Sequence, residues 1–377
     1  CKSGRENQGT GRQKIEQGWI VLKVLQVLTT ISFGDAVSND TLALQDVLKE
    51  MGYETGIYAE NIDARLPKNT AQKIQKLPAL KSQDVVIYHL STGTDLNYEI
   101  TKYKARILLI YHNVTPPEFL APYNGAAARL CRYGLDGARH LADKVEYCLA
   151  DSEWNKKDLQ EMGYKCPIDV LPILIAFDDY KKTPNAAVIQ KYQGKGTKIL
   201  FTGRIAPNKC HQDVIASFAC YKKYYDPDAK LFLVGSYSGM EAYYAKLLAY
   251  VKELGVEDVY FPGHIKFDEI LAYYHLADVF LCESEHEGFC VPLVEAMYFD
   301  VPVIAYDSTA IGGTLGGSGI LMKEKEPHLV AGMIHRLQSD PALREQVVRN
   351  QRIRLQELGR EPVKKQFEDY MRAYLKG

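Results

Sequence analysis

The stretch DVFLCESEHEGFCVPLVEAM, residues 278–297, runs from a short apolar segment through a glycine-containing turn into a helical pattern. DVFLCES has the length and composition of a buried parallel strand. Pro292 falls in the first turn of the helix that follows, where its missing N–H costs nothing. A strand feeding a helix through a tight turn is half of a βαβ unit, and it aims backbone N–H groups and a positive helix end at the strand tip, which suits an anion. Glu287 and Glu295, with seven residues between them, are not groups a phosphate wants nearby. They suit hydroxyls of a sugar or a ribose, which donate hydrogen bonds to carboxylates. A pair of solvated glutamates around an ordinary turn fits the same spacing.

The same rhythm extends in both directions. Downstream comes VPVIAYD (301–307); upstream come DVYFPG (258–263), AKLFLVG (229–235) and KILFTG (198–203). A stretch rich in Pro, Gly and charge, 172–198, separates these from an earlier set: WIVLKVLQVLTT (19–30), Tyr53–Ala59, DVVIYHL (84–90), RILLIYH (106–112) and VEYCLAD (145–151). After the first of these, a turn at Phe33-Gly34-Asp35 leads to a helix for which Asn39 or Asp40 is the expected cap. Strands alternating with helical patterns predict two α/β, Rossmann-like, doubly wound parallel-sheet domains facing a cleft, because ligands of such sheets lie beyond the carboxyl ends of the strands. The expected boundaries are 19–175 for the first domain and 196–360 for the second. A last helix, 361–377, carries Val363, Phe367, Tyr370, Met371 and Tyr374 on one face and is expected to pack back on the first domain.

Two further elements of the second domain carry polar chemistry. GRIAPNK (203–209) leaves a strand and enters the helix HQDVIASFA, so Arg204 and Lys209 are read as cations over the strand tip, able to hold a diphosphate and stabilise it as it leaves. Two exposed basic loop residues are the plainer reading. The glycine-rich STAIGGTLGGSG (308–319) allows close backbone approach to phosphate or sugar, or is simply a loop; no GK[ST] follows, so it is not a nucleotide-binding P-loop. In the first domain His112 and, more weakly, His89 end strands, where a histidine bonds a ligand, moves a proton, or serves structure.

Composition sets the outer limits. A chain of 377 residues, 46% hydrophobic, is too long for one ordinary core. A formal net charge of −1 argues against a general affinity for nucleic acid. The 8 cysteines show neither CxxC pairs nor metal-ligand spacing, so reduced thiols and a cytoplasmic setting are expected. Residues 1–18 are polar and lack the apolar segment of a signal peptide, and no run of about 18 apolar residues offers a membrane span.

Taken in order, these elements resemble the retaining glycosyltransferases of family 4, which adopt the GT-B fold. The likeness rests on the E-x7-E segment EHEGFCVPLVEAM and on Gly203, Arg204 and Lys209 as the G-R-x4-K element, and its order holds over residues 19–377. The resemblance implies that Arg204 and Lys209 bind the donor diphosphate and that Glu287 holds hydroxyls of the donor sugar. Backbone from Gly288 through Phe289 and Cys290 to Val291 would touch that sugar, Glu295 the ribose, and Gly263-His264-Ile265 the base. His112 resembles the first-domain histidine that reaches the sugar, and Gly34 the glycine turn near phosphate and acceptor. Glu287, His112, Lys209 and Arg204 are therefore the expected catalytic group.

The likeness has two departures. Gly34-Asp35 replaces a Gly-Gly turn, and IGGTLGGSG lacks an acidic residue before its Thr. The implied donor is a UDP- or GDP-sugar, a substrate and not a cofactor, and no metal is expected. Implied too are retention through a front-face route and a glycan or lipid-linked acceptor in surface polysaccharide or glycoconjugate synthesis. Lys68, Lys73, Lys76 and Lys81, with Arg129, Arg132 and Arg139, read as solvated faces or, alternatively, as a peripheral contact with the inner face of the membrane. Competing classes are a sugar-nucleotide 2-epimerase, against which E-x7-E argues, a periplasmic-type sugar-binding protein, and a non-catalytic sugar-nucleotide-binding partner subunit.

Overall fold

The structure, a computed structural model, describes residues 12–15 and 18–376. Most of the leader reading, on residues 1–18, falls outside them. The described residues form two compact units: one drawn from the chain up to residue 114, from 133–176 and from 359 onward, the other from 115–132 and 177–358.

The first unit holds a seven-stranded, wholly parallel sheet of β3 (Lys23–Ile31), β4 (Glu54–Ile62), β5 (Gln72–Lys73), β6 (Val85–Leu90), β7 (Arg106–Tyr111), β8 (Tyr147–Ala150) and β9 (Ile168–Val170), in the order β5-β4-β3-β6-β7-β8-β9. The run expected as one strand over 19–30 is divided. Gly18–Val21 (β2) pairs antiparallel with Arg12–Ile15 (β1), and the sheet strand starts at Lys23. The cap of the first helix also differs. Asp35, in extended conformation, accepts from the Ser38 N–H at 3.0 Å and starts the helix Ala36–Glu50; Asn39 and Asp40 lie inside it. Asp40 is buried and accepts the Leu174 N–H at 2.7 Å, a bond to a distant backbone that outweighs its capping preference.

The second unit holds β10 (Lys198–Thr202), β11 (Lys230–Val234), β12 (Val259–Tyr260), β13 (Val279–Cys282), β14 (Val303–Tyr306) and β15 (Ile320–Met322), all parallel, in the order β12-β11-β10-β13-β14-β15. The order reverses between β10 and β13. Leu200 stands opposite Phe280, so the loops leaving these two strands start side by side, at the place where doubly wound sheets bind ligands. Residues 115–132, which the sequence assigns to the first domain, belong here. Asn124 Nδ2 donates to the Gly239 carbonyl at 2.7 Å, and the Tyr123 ring meets Tyr243 edge-on at 5.0 Å.

Both sheets are apolar on both faces, as parallel sheets covered by helices require. In the first unit the last helix, Arg360–Lys376, buries Val363, Phe367, Met371 and Tyr374 in one cluster with Val24, Leu44, Val85 and Leu108. Phe367 is fully buried there. In the second unit Glu283, just past β13, is 2% exposed; Ser217 Oγ donates to its Oε1 at 3.3 Å and Oε2 has no partner. Burial pushes this carboxyl up to about 8, with Ser217 opposing.

Two outcomes follow. Phe367→Ala is expected to cost about 3–5 kcal/mol in urea unfolding of the first unit; a loss below about 1 kcal/mol would contradict the packing. The raised Glu283 value means that the folded state holds a proton the unfolded chain releases. Its stabilising contribution is complete below about pH 4.5 and is lost as pH rises through 8. Glu283→Gln removes that dependence, so the variant should lose on the order of 1–3 kcal/mol less than the wild type between pH 5 and 9; parallel stability curves would refute it.

Candidate functional site

The loop leaving β10 starts at Gly203, whose φ is 144° and whose N–H donates to the Val234 carbonyl at 2.9 Å. A Cβ on Gly235 would lie 1.8 Å from the Gly203 carbonyl oxygen, so only glycine permits this approach of the two strand ends. Arg204 is exposed, while Ile205, Ala206, Pro207 and Asn208 are buried and anchor the loop. A short turn, Pro207–Lys209, then presents Lys209 ahead of the helix His211–Tyr224.

Asn208 binds this loop to its neighbour beyond β13. Its carbonyl accepts the Glu285 N–H at 2.9 Å, and its Nδ2 donates to the His286 carbonyl at 3.0 Å. From the other side comes the glycine-rich segment. Ser308 Oγ donates to the Ser284 carbonyl at 2.6 Å, Thr309 Oγ1 accepts the Glu287 N–H at 2.9 Å, and Thr314 Oγ1 donates to the Phe289 carbonyl at 2.5 Å. Residues 308–319 therefore include a helix, Ile311–Leu315, and brace the Glu287 loop with hydroxyls.

Held this way, Glu287 is 6% exposed. Its Oε2 accepts from Lys209 Nζ at 2.5 Å, and its Oε1 is buried without a donor. Burial pulls the Lys209 ammonium down, but Glu287 together with Cys290 and Cys282 offsets this and the net shift is upward. Truncating one partner of such a pair typically costs about 3–5 kcal/mol, because the other is left as an uncompensated buried charge. The arrangement has two open valences. Oε1 needs an O–H or N–H donor, since an unsatisfied buried acceptor is costly. The ammonium has three N–H donors and spends one on Glu287, leaving others for an anion. His286, half-buried, is driven by burial down to about 4 and is neutral beside them.

Glu295, on the helix Val291–Tyr298, is held separately. Tyr180 donates to Oε1 at 3.0 Å and Tyr274 to Oε2 at 2.6 Å, and the Tyr274 hydroxyl also meets Thr202 Oγ1 at 2.6 Å. Burial raises the Glu295 carboxyl and the two hydroxyls oppose it. Each oxygen keeps a second lone pair for a ligand hydroxyl. Gly263, at φ 77°, and His264 and Ile265 lie between β12 and the helix Phe267–Leu276; Ile265 packs on the core and His264 is exposed. Of the expected residues of this unit, the structure unites Glu287 and Lys209. The backbone of Gly288, Phe289, Cys290 and Val291 continues directly from them, with Cys290 at φ 70°. Tyr180, Tyr274, Asn208 and Thr309 were not singled out from sequence. The only sequence signal for the two tyrosines is the chain's total of 26, which does not say which of them bond a carboxylate.

In the first unit Gly34 is at φ 76° with open space where a Cβ would point, and Asp35 is spent on its helix cap. The His112 side chain is 1% exposed. Its Nδ1 donates to Asp151 Oδ2 at 2.9 Å and its Nε2 lies 2.9 Å from His89 Nδ1. His89 Nε2 in turn lies 3.0 Å from Gln26 Oε1. Burial lowers both rings, but Asp151 raises His112 above its ordinary value, while His89, next to His112, is well below its own. The consistent assignment is a charged His112 donating to a neutral His89, which donates to Gln26. Both nitrogens of His112 are thus committed inside the unit, and a ligand contact requires one of these bonds to open.

Residues 184–354 match the family model "Glycosyl transferases group 1". A mannosylfructose-phosphate synthase of Agrobacterium fabrum is 30% identical over 120 residues, 30% of this chain and 26% of that protein. An O-antigen chain mannosyltransferase B of Escherichia coli is 23% identical over 275 residues, 71% of this chain and 69% of that protein. The alignment thus spans about a quarter of the first relative and about two thirds of the second. Among solved structures, Anabaena Alr3699/HepE in complex with UDP-glucose superposes with a TM-score of 0.73 at 16% identity, covering 93% of this chain and all of that one. That likeness establishes the fold as GT-B, and the stretch 184–354 of the second unit is similar to the group 1 glycosyl transferases.

Proposed function

We propose that the chain transfers a hexosyl group from a UDP- or GDP-sugar to a hydroxyl of a glycan or lipid-linked acceptor, with retention of configuration, in surface polysaccharide or glycoconjugate synthesis. The observation that carries this reading is the Lys209–Glu287 pair with its unpartnered Glu287 Oε1. A sugar hydroxyl satisfies Oε1, and a phosphate oxygen takes the free donors of Lys209. One buried pair therefore recognises both halves of a nucleotide sugar across the bond that breaks. A solved neighbour holding UDP-glucose and a relative named a mannosyltransferase support the donor class.

In this reading Arg204 joins Lys209 on the diphosphate and Glu295 takes ribose hydroxyls between its two tyrosines. Gly263, His264 and Ile265 meet the base, and backbone from Gly288 to Val291 meets the sugar. His112 contributes as a fixed buried cation near the end of β7, and Gly34 as an open turn. As the bond from the anomeric carbon to the phosphate oxygen breaks, charge grows on the diphosphate, where the two cations stabilise it. The acceptor oxygen bonds the same face of that carbon and gives its proton to the departing phosphate. The cations supply the charge stabilisation that a metal supplies elsewhere, so no cofactor is assigned. No helix among the described residues is long and apolar enough to cross a membrane. The Lys68–Lys81 and Arg129–Arg139 faces are the candidates for a peripheral contact with anionic lipid.

A panel of UDP-, GDP- and dTDP-sugars, read by thermal stabilisation and slow nucleotide release, should single out one nucleotide class. That stabilisation should vanish in Lys209→Ala. Glu287→Gln keeps the shape but not the charge, and is expected to lower turnover about 10²-fold or more. Near-normal turnover in both variants would remove the assignment. Turnover should survive a chelator; a loss restored by manganese would instead show a metal in the step.

A further inference from the structure

Two thiols stand beside the Glu287 carboxylate. Cys282 is the last residue of β13 and fully buried; Cys290 precedes the helix Val291–Tyr298 and is 7% exposed. The two Sγ atoms and a Glu287 oxygen all lie within 4.8 Å of one another. Cys282 Sγ reaches Ser284 Oγ at 3.4 Å, a weak bond for a buried group. Glu287 Oε1 is buried and has no donor. The two cysteines are eight positions apart, not a metal-binding spacing in sequence; they meet because one ends a strand and the other follows the loop that returns to it.

Two thiols and a carboxylate with one unpaired oxygen, in a dehydrated setting, form the ligand set of a soft or borderline divalent cation, not of magnesium or calcium. Zinc bonds sulfur at about 2.3 Å and carboxylate oxygen at about 2.0–2.2 Å, which in a tetrahedral shell separates ligand atoms by about 3.4–3.8 Å. The observed spread closes to that by side-chain rotation. Charge favours it as well. With both thiols ionised, the cation and Lys209 together balance two thiolates and one carboxylate, so the buried cluster stays neutral and two protons leave for solvent.

We infer that Cys282, Cys290 and Glu287 form a binding site for a thiophilic divalent cation of the zinc class, and that its occupation competes with the nucleotide sugar for Glu287. The competition rests on the donor reading above; the cation site does not. The site is inhibitory, since the carboxylate it uses is the one the sugar hydroxyl needs.

The test is to titrate the reduced full chain with Co²⁺ and follow thiolate-to-cobalt charge-transfer absorption, then to displace it with Zn²⁺. The expected result is a band saturating at one cobalt per chain, abolished in Cys282→Ser and in Cys290→Ser and retained in Cys148→Ser. That last variant controls for a second close thiol pair among the described residues, Cys148 and Cys166, whose sulfurs are 3.5 Å apart. Circular dichroism confirms that each variant is folded, and either serine variant alone suffices. No band, or a band that survives both, overturns the site. Excess UDP-glucose should raise the cobalt midpoint at least tenfold. An unmoved midpoint, with UDP-glucose binding shown by thermal stabilisation, overturns the competition. A cobalt band with no binding of any nucleotide sugar leaves the cation site standing and removes the donor reading.

Discussion

The pairing of β10 with β13 is the constraint from which the second unit's chemistry follows. The chain returns β13 to the side of β10 opposite β11, so two loops distant in sequence leave neighbouring strand ends. Everything polar at the site is then a way of making those loops rigid. Asn208 ties them together, and Ser308, Thr309 and Thr314 hold the second from behind. Only when both are fixed does a lysine from one meet a glutamate from the other in a nearly dry setting. The ion pair is thus a product of topology more than a source of stability, and it keeps an unused lone pair and unused protons.

The two units treat their buried polar groups differently. In the second, Glu287 Oε1, Glu283 Oε2 and both nitrogens of His211 are unsatisfied near the ends of β10 and β13, with Gln338 Nε2 elsewhere, against Asn113 Oδ1 among the described residues of the first. In the first, His112, His89, Gln26 and Gln45 form a closed chain of hydrogen bonds beneath the strand ends. One unit keeps open valences near its loops; the other has spent most of its own on itself. For a charged imidazole, being spent means being fixed in place, and a fixed charge acts through its field.

Much of this was legible in the sequence. Apolar runs of strand length separated by helical patterns identified every long strand of both sheets, because strands buried on both faces cannot hide in composition. Glu287 and Lys209 were each legible as a polar group on a strand-end loop, but their ion pair was not, because it depends on β13 lying beside β10. What was not legible depended on geometry alone. The edge strands β5, β9 and β15 are two or three residues long and were not read, whereas β12, equally short, lies in the run DVYFPG that was. Asp35 outcompeted Asp40 as a cap because Asp40 had a distant backbone N–H to satisfy. Segment 115–132 reads as part of the first domain by order and belongs to the second by packing. The tyrosines on Glu295 come from two separate helical turns, and neither has a local pattern announcing a carboxylate partner.

The last helix gives the first unit a history as well as a core. Val363, Phe367 and Met371 complete a cluster begun by Val24 and Leu44, so that unit is assembled from pieces lying more than 300 residues apart. During synthesis the second unit has all its strands in hand once residue 358 has cleared the ribosome, while the first still shows an uncovered apolar face. The order of maturation is therefore inverted: the part translated first is finished last. In the interval its sheet depends on slow, distant closure and is the stretch most exposed to misassembly and to chaperone capture.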